Sequence, residues 1–348
     1  DESKTSDNIR ILNKFSSEAG MTEEQLWDQL VIGDQATCKN IRGAKRLRQD
    51  DAGPLEKFAW VKESPGDFHF LWEVAKCVLT AHWSSPRNTG SLCFLKDLVN
   101  RKSLDLKGSN FNVLDEFLHH AHSAHLTAAL LTHMNMESTA DDYRGEDSID
   151  DICQSFVQAF VVKRKHSSTS DDALYSLSTS LLYHLMLYVD LRQSIKYENG
   201  PAIISHWRHW LPTLLGTGRT QYSTEAANLL ANLAADWSEE MADLATHNRT
   251  VNTHGRQGHG KAVDMLVEHY NKMLKTVLKR SGGHLSHKHA KEVSLAIPLL
   301  DEARRFCSQL FATKKTVGHT SPSAERDIKL MVAPLVEGYH PTRSRMDR

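Results

Sequence analysis

The chain has 348 residues, with 42 Lys and Arg against 43 Asp and Glu, a formal net charge of −1. That balance excludes a generic polyanion binder, so any nucleic-acid surface must be local. The length allows a large core and more than one domain, the content of 40% hydrophobic and 24% charged residues is that of a globular chain, and no apolar run is long enough for a membrane span.

The five cysteines (Cys38, Cys77, Cys93, Cys153 and Cys307) are odd in number, widely spaced and lack a C-x-x-C pair. This pattern argues against a disulfide framework or zinc knuckle and favours a reducing, intracellular compartment. The opening DESKTSDNIR is polar, without a signal-peptide core and without an initiator methionine, as expected of a processed or excised piece of something longer.

Taken in order, residues 8–20 read as a short amphipathic helix closed by Gly20. Thr22 to Leu30 reads as a second helix, with Thr22 as N-cap and Gln25 at capping-box spacing. Leu30-Val31-Ile32-Gly33 then reads as a buried strand ending on Asp34. A helix follows that carries Lys39, Arg42, Lys45, Arg46 and Arg48 with no acid among them. A carboxylate at a strand end beside a cationic helix suits a metal ion near a phosphate backbone. The same residues also read as a surface turn and a solvated basic helix.

Pro65-Gly66 marks a turn, Phe68 to Phe70 is a second candidate strand, and Leu71 to Trp83 has the spacing of a buried helix that Asp67 would cap. His69 stands where it would meet a carboxylate or satisfy a core hydrogen bond. Phe111 to Met134 is a strong helix, and its HHAHSAH run reads as a solvated His-rich face rather than a metal site. Helices are expected over 152–162, 173–197, 201–215 and 224–245, with a surface loop over 163–172 and no strand pattern between 70 and 247.

NRTVNTHGRQGHGK (248–261) is a polar, glycine-bearing loop that lacks the G-K-[ST] of a phosphate-binding loop. It leads into a helix from Val263 to Lys279 on which Asp264 and Glu268 share a face that continues toward Lys272 and Lys275. Ordinary Glu-to-Lys pairing along an exposed helix explains that face equally well. A further helix pair is expected between 283 and 311, and a mostly disordered tail over 312–348, in which KLMVAPLV has the composition to dock.

Five separated blocks carry a family resemblance: GDQATCKNIRGAKRLRQDD, PGDFHFLWE, LYVDLRQSIKYENGPAIISHWRHWLPTLLGTGRTQY, ATHNRTVN and GKAVDMLVEHYN. In this order they resemble an uncharacterised domain-of-unknown-function family of fungi and invertebrate animals, found in repetitive, mobile-element-like contexts. The likeness runs from about residue 8 to about residue 310.

More remotely, the pattern resembles the C-terminal part of a transposase with a ribonuclease-H-like core. Such cores hold two divalent ions on three carboxylates for in-line attack at a phosphodiester. The resemblance implies Asp34 as the second Asp, Asp67-x-His69 as a supporting histidine unit, a helical insertion and Glu268 as the final Glu. It implies Mg²⁺ or Mn²⁺ held by Asp34, Glu268 and Asp264, and DNA as partner, in the nucleus. The first Asp is missing from this pattern, because Asp7 precedes a helix and does not end an apolar strand. The expectation is therefore a mainly α protein with a small β element. Residues 1–70 would be a partial ribonuclease-H-like core, 71–255 an all-helical insertion and 256–311 the carboxylate-bearing helices. Such a chain would be inactive by itself, or a non-catalytic binding module for nucleic acid or protein.

Overall fold

The computed structural model describes residues 4–162, 173–280, 286–311 and 322–340. It is mainly helical, with two small sheets. The described residues form two compact units. The first takes 4–69, 195–201, 228–280 and 286–311, and the second takes 70–162, 173–194, 202–227 and 322–340. The chain re-enters the first unit at 195–201 and again from 228.

The first unit is built on a parallel β-α-β element. β1 (Gln29–Gly33) pairs in parallel with β2 (Val61–Pro65), and Gly33 stands opposite Pro65. Parallel neighbours need a crossover, here helix α2 (Gln35–Leu47). Helix α1 (Thr5–Glu18) packs on α2, and Leu12, Met21, Ile41, Ala44, Phe58, Trp60 and Val61 close the core beneath them. Gly20, at φ 70°, terminates α1 as its sequence position predicts.

The expected helix over 22–30 does not form. The Gln25 amide donates to the Thr22 hydroxyl at 3.1 Å, as in a capping box, but only a turn follows and the chain enters β1 at Gln29. The second strand lies at Val61–Pro65 and not at Phe68–Phe70. Its sequence, VKESP, is polar, and Glu63 and Ser64 are buried against side chains from other elements. Partners far away in the sequence, which no local pattern records, make that polar strand possible.

After β2 comes helix α3 (Asp67–Ala81), which begins at Asp67 itself. Helices α4 (Leu92–Leu98), α5 (Phe111–His133), α6 (Ile149–Val157), α7 (Ala173–Lys196) and α8 (Gly200–Gly216) follow. The loop expected at 163–172 lies outside the described residues. The expected single helix over 224–245 is interrupted: α9 (Thr220–Ala231) runs into a wide turn at Asn232–Asp236, Trp237 is extended, and Ser238 caps α10 (Glu239–His247). Ser238 followed by Glu239 and Glu240 is a helix-start signal.

In the second unit, Phe70 stacks on Trp207 with ring centroids 3.7 Å apart, and the Tyr188 hydroxyl on α7 donates to Asp115 on α5 at 2.6 Å. The α5 histidines do not form a solvated face. His120 and His125 are buried, and His119 and His122 are half-buried.

The polar stretch after α10 forms a hairpin, β3 (Thr250–Val251) antiparallel to β4 (Lys261–Ala262), which delivers the chain into α11 (Val263–Arg280). A single helix α12 (His287–Leu310) follows where a pair was expected. The segment expected to belong to a disordered tail contains α13 (Ala324–Val336), packed against α5 in the second unit. Asp327 of α13 accepts from Arg101 at 2.7 Å, and Tyr339 is buried against His125. A buried ion pair and a buried aromatic thus hold the segment whose KLMVAPLV stretch has the composition to dock.

Candidate site at the strand ends

The carboxyl ends of β1 and β2 meet at two glycines, where the Gly66 amide donates to the Gly33 carbonyl at 2.7 Å. Ligands of open α/β sheets collect in this position. A Cβ at Gly33 would lie 2.7 Å from the Thr37 side chain, and one at Gly66 would lie 2.3 Å from Asp264 Cγ. Both positions need glycine, because a neighbouring side chain crosses directly over the backbone.

Asp34 follows Gly33 and caps α2, accepting from the Thr37 amide at 2.7 Å through Oδ1. Asp264, the second residue of α11, reaches across to the start of α3. Its Oδ1 accepts from the Phe68 amide and its Oδ2 from the His69 amide, both at 3.0 Å. These amides are N-terminal orphans of α3, capped here by a carboxylate from nearly 200 residues away in sequence. Oδ2 also lies 2.9 Å from His69 Nδ1.

Asp67 is buried and bonded to Arg249, whose Nε and Nη2 donate to its two oxygens at 2.8 Å. Arg249 donates in addition to the Ser64 hydroxyl at 2.9 Å and to the Pro65 carbonyl at 2.7 Å. A planar fork filled on all sides fixes the end of β2 and the start of α3 to the segment that leads into α11. Sequence reasoning passed over Arg249, because a buried arginine in a polar loop leaves no periodic signal.

Asp34, His69, Asp264 and Glu268 line one cavity of about 260 Å³, with Asn8, Thr37 and Asn271 as further polar lining and Ile11, Leu12, Val31, Ile41 and Val267 as apolar wall. The structure therefore brings together Asp34 and Glu268, which lie 234 positions apart in the chain (268 minus 34). Burial pulls the His69 imidazolium down. The Asp264 hydrogen bond and the charges of Asp264, Asp34 and Glu268 more than offset that, so its pKa is raised.

The five cations of α2 and its C-cap are divided. Lys45 bonds the Glu63 carboxylate at 2.6 Å, and Arg42 stands 4.0 Å from the same group. Arg48 pairs with Asp51 and lies over the Phe58 ring at 5.1 Å. Lys39 and Arg46 are exposed. The acids that neutralise this helix come from β2 and the following turn, which is why the run of cations looked unpaired in the sequence.

Among the described residues, no group of three or more His, Cys, Asp or Glu side chains is arranged to hold a metal ion. Both Asp264 oxygens are committed to α3 amides, so Asp264 acts as a cap and as the partner of His69 rather than as an open ligand. Among the described residues Asp34 accepts through Oδ1 alone, and Glu268 is exposed at the cavity mouth. Two carboxylates with open oxygens fit a hard divalent ion that keeps several waters and completes its shell with phosphate oxygens.

A parallel β-α-β unit with acids at its strand ends is a general ligand-binding arrangement and defines no single activity. A model of a family of unknown function, DUF6589, matches residues 1–319, and the chain belongs to that family. No curated protein and no solved structure matches it. No helix among the described residues is long and apolar enough to cross a membrane.

Proposed function

We propose that the first unit is the partial core of a metal-dependent, phosphodiester-processing protein of mobile-element origin, related to transposases with a ribonuclease-H-like core. The observation that carries this reading is the convergence of Asp34, at the end of β1, with Glu268, on α11, in one cavity beside His69. Asp34 and Glu268 would hold Mg²⁺ or Mn²⁺, which in such sites polarises a phosphoryl oxygen and activates water. His69, held by Asp264, would present positive charge to a phosphate. DNA is then the partner, and the nucleus the place of action.

Two-ion chemistry needs three open carboxylates. Among the described residues the cavity offers two, so this chain is proposed to bind metal and not to cleave strands by itself. The commitment of both Asp264 oxygens to α3 amides supports a second reading, a non-catalytic module that binds nucleic acid or protein.

A thermal melt with and without Mn²⁺, for the parent and for Asp34→Asn, tests the metal reading. Asparagine caps a helix about as well as aspartate, so the substitution removes charge and leaves the cap. At Mn²⁺ ten times its Kd the parent gains about 1.4 kcal/mol, and Asp34→Asn gains none. Coincident melts under all four conditions would leave Asp34 as a cap only and favour the non-catalytic module.

A further inference from the structure

We propose that α11 carries the phosphodiester backbone of a nucleic acid away from the Asp34–Glu268 cavity, on a rail made by Lys272, Lys275 and Lys279. This rests on the phosphodiester reading of that cavity and adds the path that the strand takes.

Glu268, Lys272, Lys275 and Lys279 are spaced i, i+4, i+7, i+11 on one continuous helix. At 3.6 residues per turn they fall within an arc of about 60°, so they form one stripe. All four are exposed. The i, i+4 pairing of Glu268 with Lys272, which would explain the stripe as ordinary helix stabilisation, is absent: among the described residues no carboxylate lies within ion-pair distance of Lys272, Lys275 or Lys279. On the packed helix α12, Asp301 accepts from Arg304 at 2.6 Å and contacts His269 and Arg305, and the exposed Glu292 lies 4.0 Å from His289.

The stripe starts at the cavity mouth. Lys272 lies about 6 Å along the axis from Glu268, and Lys279 about 10 Å beyond it, at 1.5 Å per residue. Lysine side chains span the gaps between successive phosphates at that spacing. On the other side of the cavity, α2 turns Arg42, Lys45 and Arg48 toward internal acids. The lysines of α11 are therefore open to a polyanion beside this acidic cavity, as are Lys39 and Arg46 of α2. They offset the repulsion that Asp34, Asp264 and Glu268 exert on an approaching phosphate.

The test is anisotropy of a fluorescein-labelled 20-base-pair DNA duplex in EDTA, from 50 to 200 mM KCl, for the parent and for Lys272→Gln/Lys275→Gln/Lys279→Gln. Three lost phosphate contacts flatten the salt slope by about 2.7, so over that range the parent loses about 40-fold more affinity than the variant. Single Lys→Gln variants, each flattening the slope by about 0.9, serve if the triple variant melts early. EDTA keeps divalent ions out, so the salt slope reads the lysine contacts apart from the metal site. Equal slopes for parent and triple variant, no duplex binding by the parent, or competition by polyglutamate as strong as by DNA at equal charge would each overturn the rail.

Discussion

Both units join histidines to acidic or hydroxyl partners, and the two sets behave in opposite ways. In the second unit, His125 is fully buried, its Nδ1 lies 2.6 Å from the Tyr339 hydroxyl, and burial with a neighbouring His122 charge pushes its pKa down to about 3. In the first unit, His69 is partly open at a strand-end cavity, and surrounding carboxylates raise its pKa. A buried histidine facing a neutral hydroxyl acts as packing. A half-open one facing three acids has its charged form favoured where a ligand can reach it. The environment, and not the residue type, separates a structural histidine from a candidate functional one.

The sharpest way to break the site half of this contrast is Arg249→Met. The substitution leaves Asp67 as a buried charge without its fork and frees the Ser64 and Pro65 contacts. Breaking a buried pair by removing one partner costs about 3–5 kcal/mol. Denaturant melts should show that loss, with the metal response of Asp34 and Glu268 disappearing alongside it. A variant as stable as the parent would show that the Arg249 fork does not hold the strand ends together.

The next effect sharpens the contrast itself. His125 stays neutral to about 3 in the folded state, against an unfolded value near 6.5. Between those values the unfolded chain binds more protons, so stability falls as pH drops. From roughly pH 6.5 to pH 5 the loss is about 2 kcal/mol. His69 runs the other way: its raised folded pKa contributes stability that is full below the unfolded value and is lost as pH rises through the folded one. Melts across pH should lose the acid slope in His125→Leu and the alkaline slope in His69→Gln. Histidine NMR titrations with His125 charging before His69 would reverse the assignment.

Much of this architecture was legible in the sequence. The Leu30–Gly33 strand, the basic helix after it and the amphipathic run after Ala262 have local periodicity or punctuation, and each formed close to where it was read. What was hidden depended on distant partners. Strand VKESP is polar because Glu63 meets Lys45 and Ser64 meets Arg249. The α3 start is capped from a distance, by Asp264. The His-rich face of α5 looked solvated because its cover includes α13, more than 200 residues later. Asp34 and Glu268 were paired by resemblance alone, since no periodicity links a strand end to a helix on the far side of a helical insertion.

The smallest expected change in stability belongs to Asp34→Asn, within about 0.5 kcal/mol because the cap survives, and it leads to the most direct measurement of the central claim. Calorimetric Mn²⁺ titrations of the parent, Asp34→Asn, Glu268→Gln and the double variant form a cycle around the two carboxylates. If both hold one ion, the single variants bind about as weakly as the double, with a coupling on the order of 1–3 kcal/mol. Additive losses, or Mn²⁺ affinity unchanged by either substitution, would contradict a shared site.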